Sequence, residues 1–423
     1  MSNKLEEIAQ QLITPTVTRK GAKPVPKVQL IYAFNGTGKT RLSAELKKLI
    51  DTDDGDSTGF SNKKFLYYNS FTEDLFYWHY QSGVEASPKL QAHENGFTSW
   101  IFSKQDLENR IDEIFKRVTG TRVDFYLDAK SNSIAFKMPE KTQILDSNSE
   151  PLLDDDGNPM AEDVFSNIKI SKGEESNFKW SVFYVLLEQI ITTLNDPENE
   201  DPEFLFDNLE YVFIDDPVSS LDENHLIELA VGLAKLVKSS PFQDGQGVRF
   251  IITTHNPLFY NVLHNEFNNN LYKDLPDKKR KCLYKRDQSK KYKLEKKADG
   301  KFKLLDSNDH PFSYHLFLLD ELRNIGDAEK VERYHFNFLR NILEKTATFL
   351  GYKQWNELLK KLPNDDQDVM ERMLNLYSHS AHAGEEVADI KSNDKENLIK
   401  LIKDFTQTYS FSEIKENENG GTD

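Results

Sequence analysis

The sequence predicts an α/β fold, with a mixed or parallel sheet carrying a phosphate-binding loop and a mainly helical C-terminal part. Three observations carry that prediction. The apolar run "KVQLIYAF" (27–34) leads into "NGTGKT" and then into "TRLSAELKKLI" (40–50), the strand, glycine loop and helix of a phosphate site. Two further apolar runs, "EYVFIDD" ending at Asp215 and Asp216 and "GVRFIITTH" ending at His255, alternate with helical patterns. Such alternation implies parallel strands with their loops gathered at the C-terminal ends. From about residue 310 onward the apolar spacing turns helical.

Composition sets the outer limits. A chain of 423 residues accommodates two domains, and 38% hydrophobic with 29% charged residues fits a soluble globular class. No apolar run is long enough for a bilayer. The first residues, "MSNKLEEIAQQLI", read as a short amphipathic helix rather than a signal peptide. A single cysteine, Cys282, excludes internal disulfides and CxxC clips, so a reducing cytoplasm is the expected location. The net charge of −16 argues against a nucleic-acid coat protein, yet residues 273–303 hold fourteen lysines and arginines against five acids. That local excess reads either as a solvated hairpin or connector, or as a docking surface for nucleic-acid phosphates.

Each element then receives a chemical reading. Asn35, Gly36, Thr37, Gly38, Lys39 and Thr40 form the cradle: backbone N–H groups hold phosphates, Lys39 reaches the β and γ oxygens, and Thr40 binds Mg²⁺. Ala33 stands where the first glycine of such a loop is expected. Asp215, at a strand end, is placed to hold Mg²⁺ through water, and Asp216 to orient an attacking water. His255 is placed to sense the γ-phosphate. In "ISKGEESNFKW", Ser171, Gly173 and Glu174 open a helix whose N-terminus can cap a phosphate. Gln81 lies at a plausible distance for a glutamine loop but reads more simply as a surface residue. The acidic, turn-rich segment between Lys141 and Ser166 reads as an exposed hairpin or mobile insert, and the terminal "ENENGGTD" as disordered. No heptad run separates the motifs, so no long coiled-coil arm is expected.

Taken in order, "NGTGKT", "SKGEE", "DDPVSSLD" and "TTH" resemble the ATP-binding-cassette (ABC) ATPases of the structural-maintenance-of-chromosomes type. That resemblance implies two chains meeting head to tail, with nucleotide between the P-loop of one and Ser171–Glu174 of the other. The water-orienting acid in that class is normally glutamate, and Asp216 is one methylene shorter, which suits a slow switch.

Together with "YNSFTEDLF" (68–76), "ISKGEE" and "FIDDPVSSLD", the stretch "LLDSNDHPFSYHLFLLDELRN" (304–324) resembles the bacterial anticodon nucleases of the PrrC type over nearly the whole chain. The resemblance implies an ATPase domain over 1–270, a nuclease domain over 271–415 and a tail over 416–423. It implies Arg340, Glu344 and His379 as the catalytic set, and Asp306 with Ser307 and Asn308 as substrate-recognition residues. His382 stands as the alternative histidine. It further implies ATP or GTP, with dTTP as a regulator, Mg²⁺ at the ATPase site and no metal at the nuclease site. Lysine tRNA would be the substrate, cut to a 2′,3′-cyclic phosphate and a 5′-OH in defence against bacteriophage. Partners would be a second copy of the chain, with further pairing of dimers open, a type I restriction–modification complex and a phage-encoded activator.

The residues themselves are compatible with this chemistry. On a helix over 331–350, Phe336, Leu339, Leu343, Ala347 and Leu350 form an apolar stripe, and Arg340 and Glu344 lie one turn apart beside it. RNA cleavage without metal needs a base, an acid and a cation, which histidine, glutamate and arginine can supply. An Arg–Glu pair at this spacing is, however, commonly a surface ion pair, and "DSND" commonly a turn or cap. Two rivals remain: an ATPase that activates a separate nuclease partner, and a DNA-repair or chromosome-organising ATPase.

Overall fold

The structure is a computed structural model that describes residues 4–18, 21–51, 64–69, 76–79, 89–92, 105–128, 130–143, 161–196, 206, 208–217, 221, 223–275, 279–297, 299–308, 314–363, 367–379 and 390–411. The chain divides into two compact units, Met1–Pro311 and Phe312–Asp423.

A six-stranded sheet organises the first unit, in the order Phe302–Asp306, Ser289–Lys296, Val28–Tyr32, Arg249–Thr254, Tyr211–Asp215, Phe65–Asn69. All neighbours run parallel except the outer pair, in which Phe302–Asp306 is antiparallel to Ser289–Lys296. The Val28–Tyr32 and Tyr211–Asp215 strands are buried at every position, as expected where helices cover both faces of a parallel sheet. Side chains alternate between the faces. Ile31, Phe213, Ile251, Leu294 and Phe302 meet Leu5, Ile8 and Leu12 of the Leu5–Ile13 helix, together with Leu42, Leu46 and Ile50 of the Lys39–Ile50 helix.

Register decides what the sheet does. Asp215 stands opposite Asn69 on one side and Thr253 on the other, and Thr254 stands opposite Tyr32. The C-terminal ends of four separate chain segments therefore meet at one edge, directly below the glycine loop.

A second, antiparallel sheet contains Phe76–His79, Lys89–Ala92, Ser133–Gln143 and Asp124–Asp128, with Ala161–Ile168 also paired to Ser133–Gln143. The acidic insert is thus flanked by a hairpin, since Gln143 pairs with Ala161; its connecting residues 144–160 lie outside the described residues. The Lys172–Asn195 helix links the two sheets. Its Trp180 meets Tyr68 at 5.1 Å, and its Phe178 packs among Phe115, Phe125 and Phe136.

The sheet reaches further along the chain than the sequence suggested. The first compact unit runs past the domain boundary expected at 270/271 to Pro311, because Ser289–Lys296 and Phe302–Asp306 belong to the main sheet. A strand pairing with Val28–Tyr32 cannot leave it without exposing the hydrogen-bonding edge of a buried strand. The basic segment is consequently in part sheet: Lys291 is buried and donates to Asn268 and Ser289, while Lys293 and Lys297 pair with Glu295. Its exposed charges lie outside the sheet interior, among them Lys279, Arg280, Lys281, Lys285 and Arg286.

The second unit is helical: Tyr314–Arg323, Arg333–Leu350, Asn356–Leu359, Gln367–His379 and Ser392–Thr408. Phe336, Leu339, Leu343 and Ala347 are buried as expected, with Ile342 beside them. Leu350 is instead 52% exposed, because the helix ends there and Gly351 turns left-handed at its cap. The expected disordered tail and Gln81 lie outside the described residues. Among the described residues no helix is long and apolar enough to cross a membrane.

Candidate functional site

Two polar clusters stand out, one in each unit. In the first, Gly36 and Gly38 adopt left-handed backbone conformations that turn the loop and start the Lys39–Ile50 helix. A Cβ at Gly38 would meet Leu5 Cδ1 at 3.3 Å, so the loop is packed from behind. Lys39 is buried, and its Nζ lies 3.2 Å from the Ala33 carbonyl, 3.2 Å from Asn35 Oδ1 and 3.5 Å from Asp216 Oδ2. Thr40 Oγ1 donates to Asp215 Oδ2 at 2.7 Å, and Thr253 Oγ1 donates to Asp215 Oδ1 at 2.7 Å.

The adjacent carboxyls are tuned in opposite directions. Burial, with the charge of Asp216 adding to it, raises the Asp215 carboxyl above the usual range in spite of its two threonine donors. Burial pushes Asp216 the same way, but the hydrogen bond and charge of His255 and the charge of Lys39 outweigh it and hold Asp216 below the usual range. His255 Nδ1 contacts Asp216 Oδ2 directly, while Thr254 Oγ1 donates to Oδ1 at 3.2 Å. Asp216 reaches all three partners from a left-handed backbone, φ +52°, rare for a non-glycine residue and typical of functional turns. The structure thus joins the expected water-orienting acid and the expected phosphate sensor into one Asp–His pair.

The donor set fits a nucleotide and Mg²⁺. A hydroxyl and a carboxylate oxygen 2.7 Å apart, at the foot of a glycine loop with a buried lysine, make the oxygen site that Mg²⁺ takes beside phosphates. Sequence reasoning missed Asn69 and Tyr67, which stand beside Asp215: Asn69 Nδ2 donates to the Tyr67 hydroxyl at 2.9 Å, and that hydroxyl lies 3.4 Å from Asp215 Oδ2. Asn69 sits inside "YNSFTEDLF", so the signal was present without a role attached.

Ser171 and Glu174 make a reciprocal capping box. Glu174 N–H donates to Ser171 Oγ at 3.2 Å, and Ser171 N–H to Glu174 Oε2 at 2.9 Å. Gly173 lies in the same first turn. Ser171 is exposed, so the helix N-terminus remains open to a ligand.

Asp306, Ser307 and Asn308 close the outer strand of the first unit's sheet. Asn308 N–H donates to Asp306 Oδ1 at 3.0 Å, Ser307 N–H to the Lys291 carbonyl at 2.8 Å, and Lys291 N–H to Asn308 Oδ1 at 3.0 Å. The residues form an Asx-type turn that locks the sheet edge. They belong to the first unit, whereas Arg340, Glu344 and His379 belong to the second.

In the second unit Arg340 is far from a simple surface ion pair. Its side chain is 17% exposed; Nε donates to Glu344 Oε1 at 2.8 Å, and Nη1 to Asn375 Oδ1 at 2.7 Å and Ser378 Oγ at 3.0 Å. The guanidinium also lies over the Trp355 ring, 5.1 Å from its centroid. Among the described residues Nη2 has no hydrogen bond. His379 is the last residue of the helix that carries Asn375 and Ser378, one position beyond Ser378. His382 lies outside the described residues. Asn375, Ser378 and Trp355 were not legible as site residues. The one usable signal was the N-x-x-S-H spacing, which puts three polar groups within one helical turn.

Comparison with known proteins gives three findings. A family model described as an AAA domain matches residues 170–407. A curated protein of Escherichia coli named anticodon nuclease is 42% identical over 443 residues, covering 99% of this chain and all of that protein. Among solved structures, an SMC head bound to the C-winged helix domain of ScpA covers 67% of this chain and 91% of its own at 10% identity and TM-score 0.29. The SMC head domain from Thermotoga maritima covers 66% and 90% at 13% identity and TM-score 0.25, so both overlaps are too loose to support a shared assembly.

Proposed function

Because the chain belongs to the anticodon nuclease family and contains an AAA-type domain, we propose that it is a nucleotide-gated endoribonuclease cutting transfer RNA in the anticodon loop. The observation that carries this reading is the seating of Arg340. Three hydrogen bonds and an indole fix the guanidinium, and Nη2, without a hydrogen bond among the described residues, would meet a scissile phosphate.

The chain's residues would share the reaction as follows. Arg340 holds a non-bridging phosphate oxygen and offsets the charge that develops on phosphorus. Glu344 holds Arg340 through Nε, and its side chain is 49% exposed, so it serves as orienting group or as the base for the 2′-OH proton. His379 transfers the other proton, to the leaving 5′-oxygen or from the 2′-OH. The products are a 2′,3′-cyclic phosphate and a 5′-OH, and this set supplies base, acid and cation from side chains alone.

Lys39, Thr40 and the glycine loop would hold ATP or GTP, with dTTP as a further regulator, and Thr40 with Asp215 would hold Mg²⁺, which polarises the phosphates. Asp216 and His255 would orient the attacking water. Two chains meeting head to tail would bring Ser171–Glu174 of one onto the nucleotide of the other, and pairing of dimers would extend the assembly. The exposed lysines and arginines of 279–286 would hold tRNA phosphates, with salt-sensitive affinity, and Asp306–Asn308 would contribute to reading the anticodon. Lysine tRNA as substrate, a type I restriction–modification complex as restraint, a phage product as trigger and phage defence as the role complete the proposal.

The experiment incubates the chain with total tRNA and nucleotide and maps the cut ends. Cleavage confined to anticodon loops is expected, abolished in Arg340→Ala, Glu344→Ala and His379→Ala while nucleotide binding persists. Undiminished cleavage in all three variants removes the assignment, and cleavage only with an added protein favours an activator role.

A further inference from the structure

A cavity of about 320 Å³ opens beside the Arg340 cluster, lined by Glu344, Trp355, Tyr352, Asn356, Glu371 and Asn375 among others. Three properties define what it can take. Its size is at the lower end of small-molecule sites, suited to a single nucleoside and too small for duplex. Two aromatic rings line it, and the Trp355 indole also carries the Arg340 guanidinium, so an occupant would sit next to the phosphate that Arg340 holds. Its charged residues are two glutamates against Lys353, an acidic balance that repels phosphate and favours an uncharged group presenting N–H donors.

The walls are built and held. Glu357 Oε1 accepts the backbone N–H groups of Lys353 and Gln354 at 3.1 and 3.0 Å, fixing the loop that leads into Trp355. Gly351 starts that loop in the left-handed region, and Tyr352 N–H returns to the Ala347 carbonyl at 2.9 Å. Asn356 Nδ2 donates to Glu371 Oε1 at 3.0 Å, which braces two polar walls against each other. Among the described residues Asn356 Oδ1 and Glu371 Oε2 have no hydrogen bond, so each is an acceptor on the lining with no donor from those residues.

We propose that this cavity is a nucleobase subsite: it takes one base of the substrate loop, splayed from its stack onto Trp355 and Tyr352, and reads the base's N–H edge with Asn356 and Glu371. The inference rests on the nuclease reading above and extends it to a residue set that the catalytic assignment does not include. Single-stranded RNA is recognised in this manner, by unstacking a base onto aromatic rings and hydrogen-bonding its edge. A base anchored here fixes the adjoining phosphodiester against Arg340, so it acts on positioning as well as on choice of sequence.

The test uses the full-length protein and an anticodon stem–loop. First, the unmodified stem–loop is incubated with the wild-type chain and nucleotide; absence of cleavage overturns the nuclease reading and this inference with it. Second, 2-aminopurine replaces each loop base in turn, with a 2′-deoxy sugar at the cut position to prevent turnover. The expected result is strong quenching at one loop position, lost in Trp355→Leu and retained in Trp355→Phe. Asn356→Ala and Glu371→Gln should raise KM about tenfold while lowering kcat less. Quenching at no position, equally at several, or undiminished in Trp355→Leu overturns the subsite even where cleavage proceeds. An unchanged KM in both polar variants does the same.

Discussion

Single side chains in this protein are positioned by what burial demands of them. Lys27 is fully buried before the Val28–Tyr32 strand, donating to the carbonyls of Lys238 and Ser240 at 2.9 and 2.7 Å, with Nζ 5.7 Å from the Tyr284 ring centroid. Burial lowers its pKa from 10.5 to about 7. Between those two values the unfolded chain binds a proton that the folded chain has lost. Lys27 therefore makes stability rise with pH across that window, by at most about 1.4 kcal/mol per pH unit. Denaturant unfolding at steps from pH 7 to 9.5, below the usual tyrosine titration, should give a steeper rise for the wild type than for Lys27→Met. Parallel curves would show that Lys27 stays charged when folded. Arg340 presents the contrasting case: a partly exposed cation held by direct side-chain partners, Glu344, Asn375 and Ser378.

At the scale of elements, the residues proposed for nucleotide contact gather at helix ends. The Lys39–Ile50 helix begins in the glycine loop, Asn256 caps the helix that follows His255, and Ser171 caps Lys172–Asn195. The Ser171 cap has two readings that mutation separates. Ser171→Ala removes the hydroxyl acceptor and should cost about 1 kcal/mol of stability. Ser171→Asp keeps a good cap, so stability should hold, but it places a negative charge where a partner's phosphate is expected. Nucleotide hydrolysis should fall in both variants if the helix end meets nucleotide across a dimer. Hydrolysis at the wild-type rate in Ser171→Asp would reduce the residue to a cap. The measurements are chemical denaturation and phosphate release.

At the scale of the whole molecule, the sheet rather than the charge pattern decides where one unit stops. Tyr292, Leu294 and Phe302 enter the core shared by the Leu5–Ile13 and Lys39–Ile50 helices. Each such side chain contributes about 1.5–3 kcal/mol when buried. A fragment of residues 1–311 should therefore unfold cooperatively and gain thermal stability with nucleotide. A fragment of residues 1–270 loses both outer strands and uncovers the edge of a fully buried one, so it should aggregate or lose its cooperative transition. Circular dichroism melts with and without nucleotide check this, and equal behaviour of the two fragments would return the boundary to residue 270.

Much was legible because it depends on local chemistry. A glycine loop between a strand and a helix and carboxylates at a strand end are each set by neighbours close in sequence, so Lys39 and Asp215 could be named in advance, whereas the helical stripe gave only the helix and Arg340 was named through the family resemblance. The sequence determined which groups this protein could use. Only the tertiary structure decided which of them meet: strand register brought Asn69 and Thr253 to Asp215, a left-handed turn brought Asp216 to His255, and helix packing brought Asn375, Ser378 and Trp355 to Arg340. Those contacts span tens to more than a hundred residues, and the pairing and packing that create them leave no periodic trace in the chain.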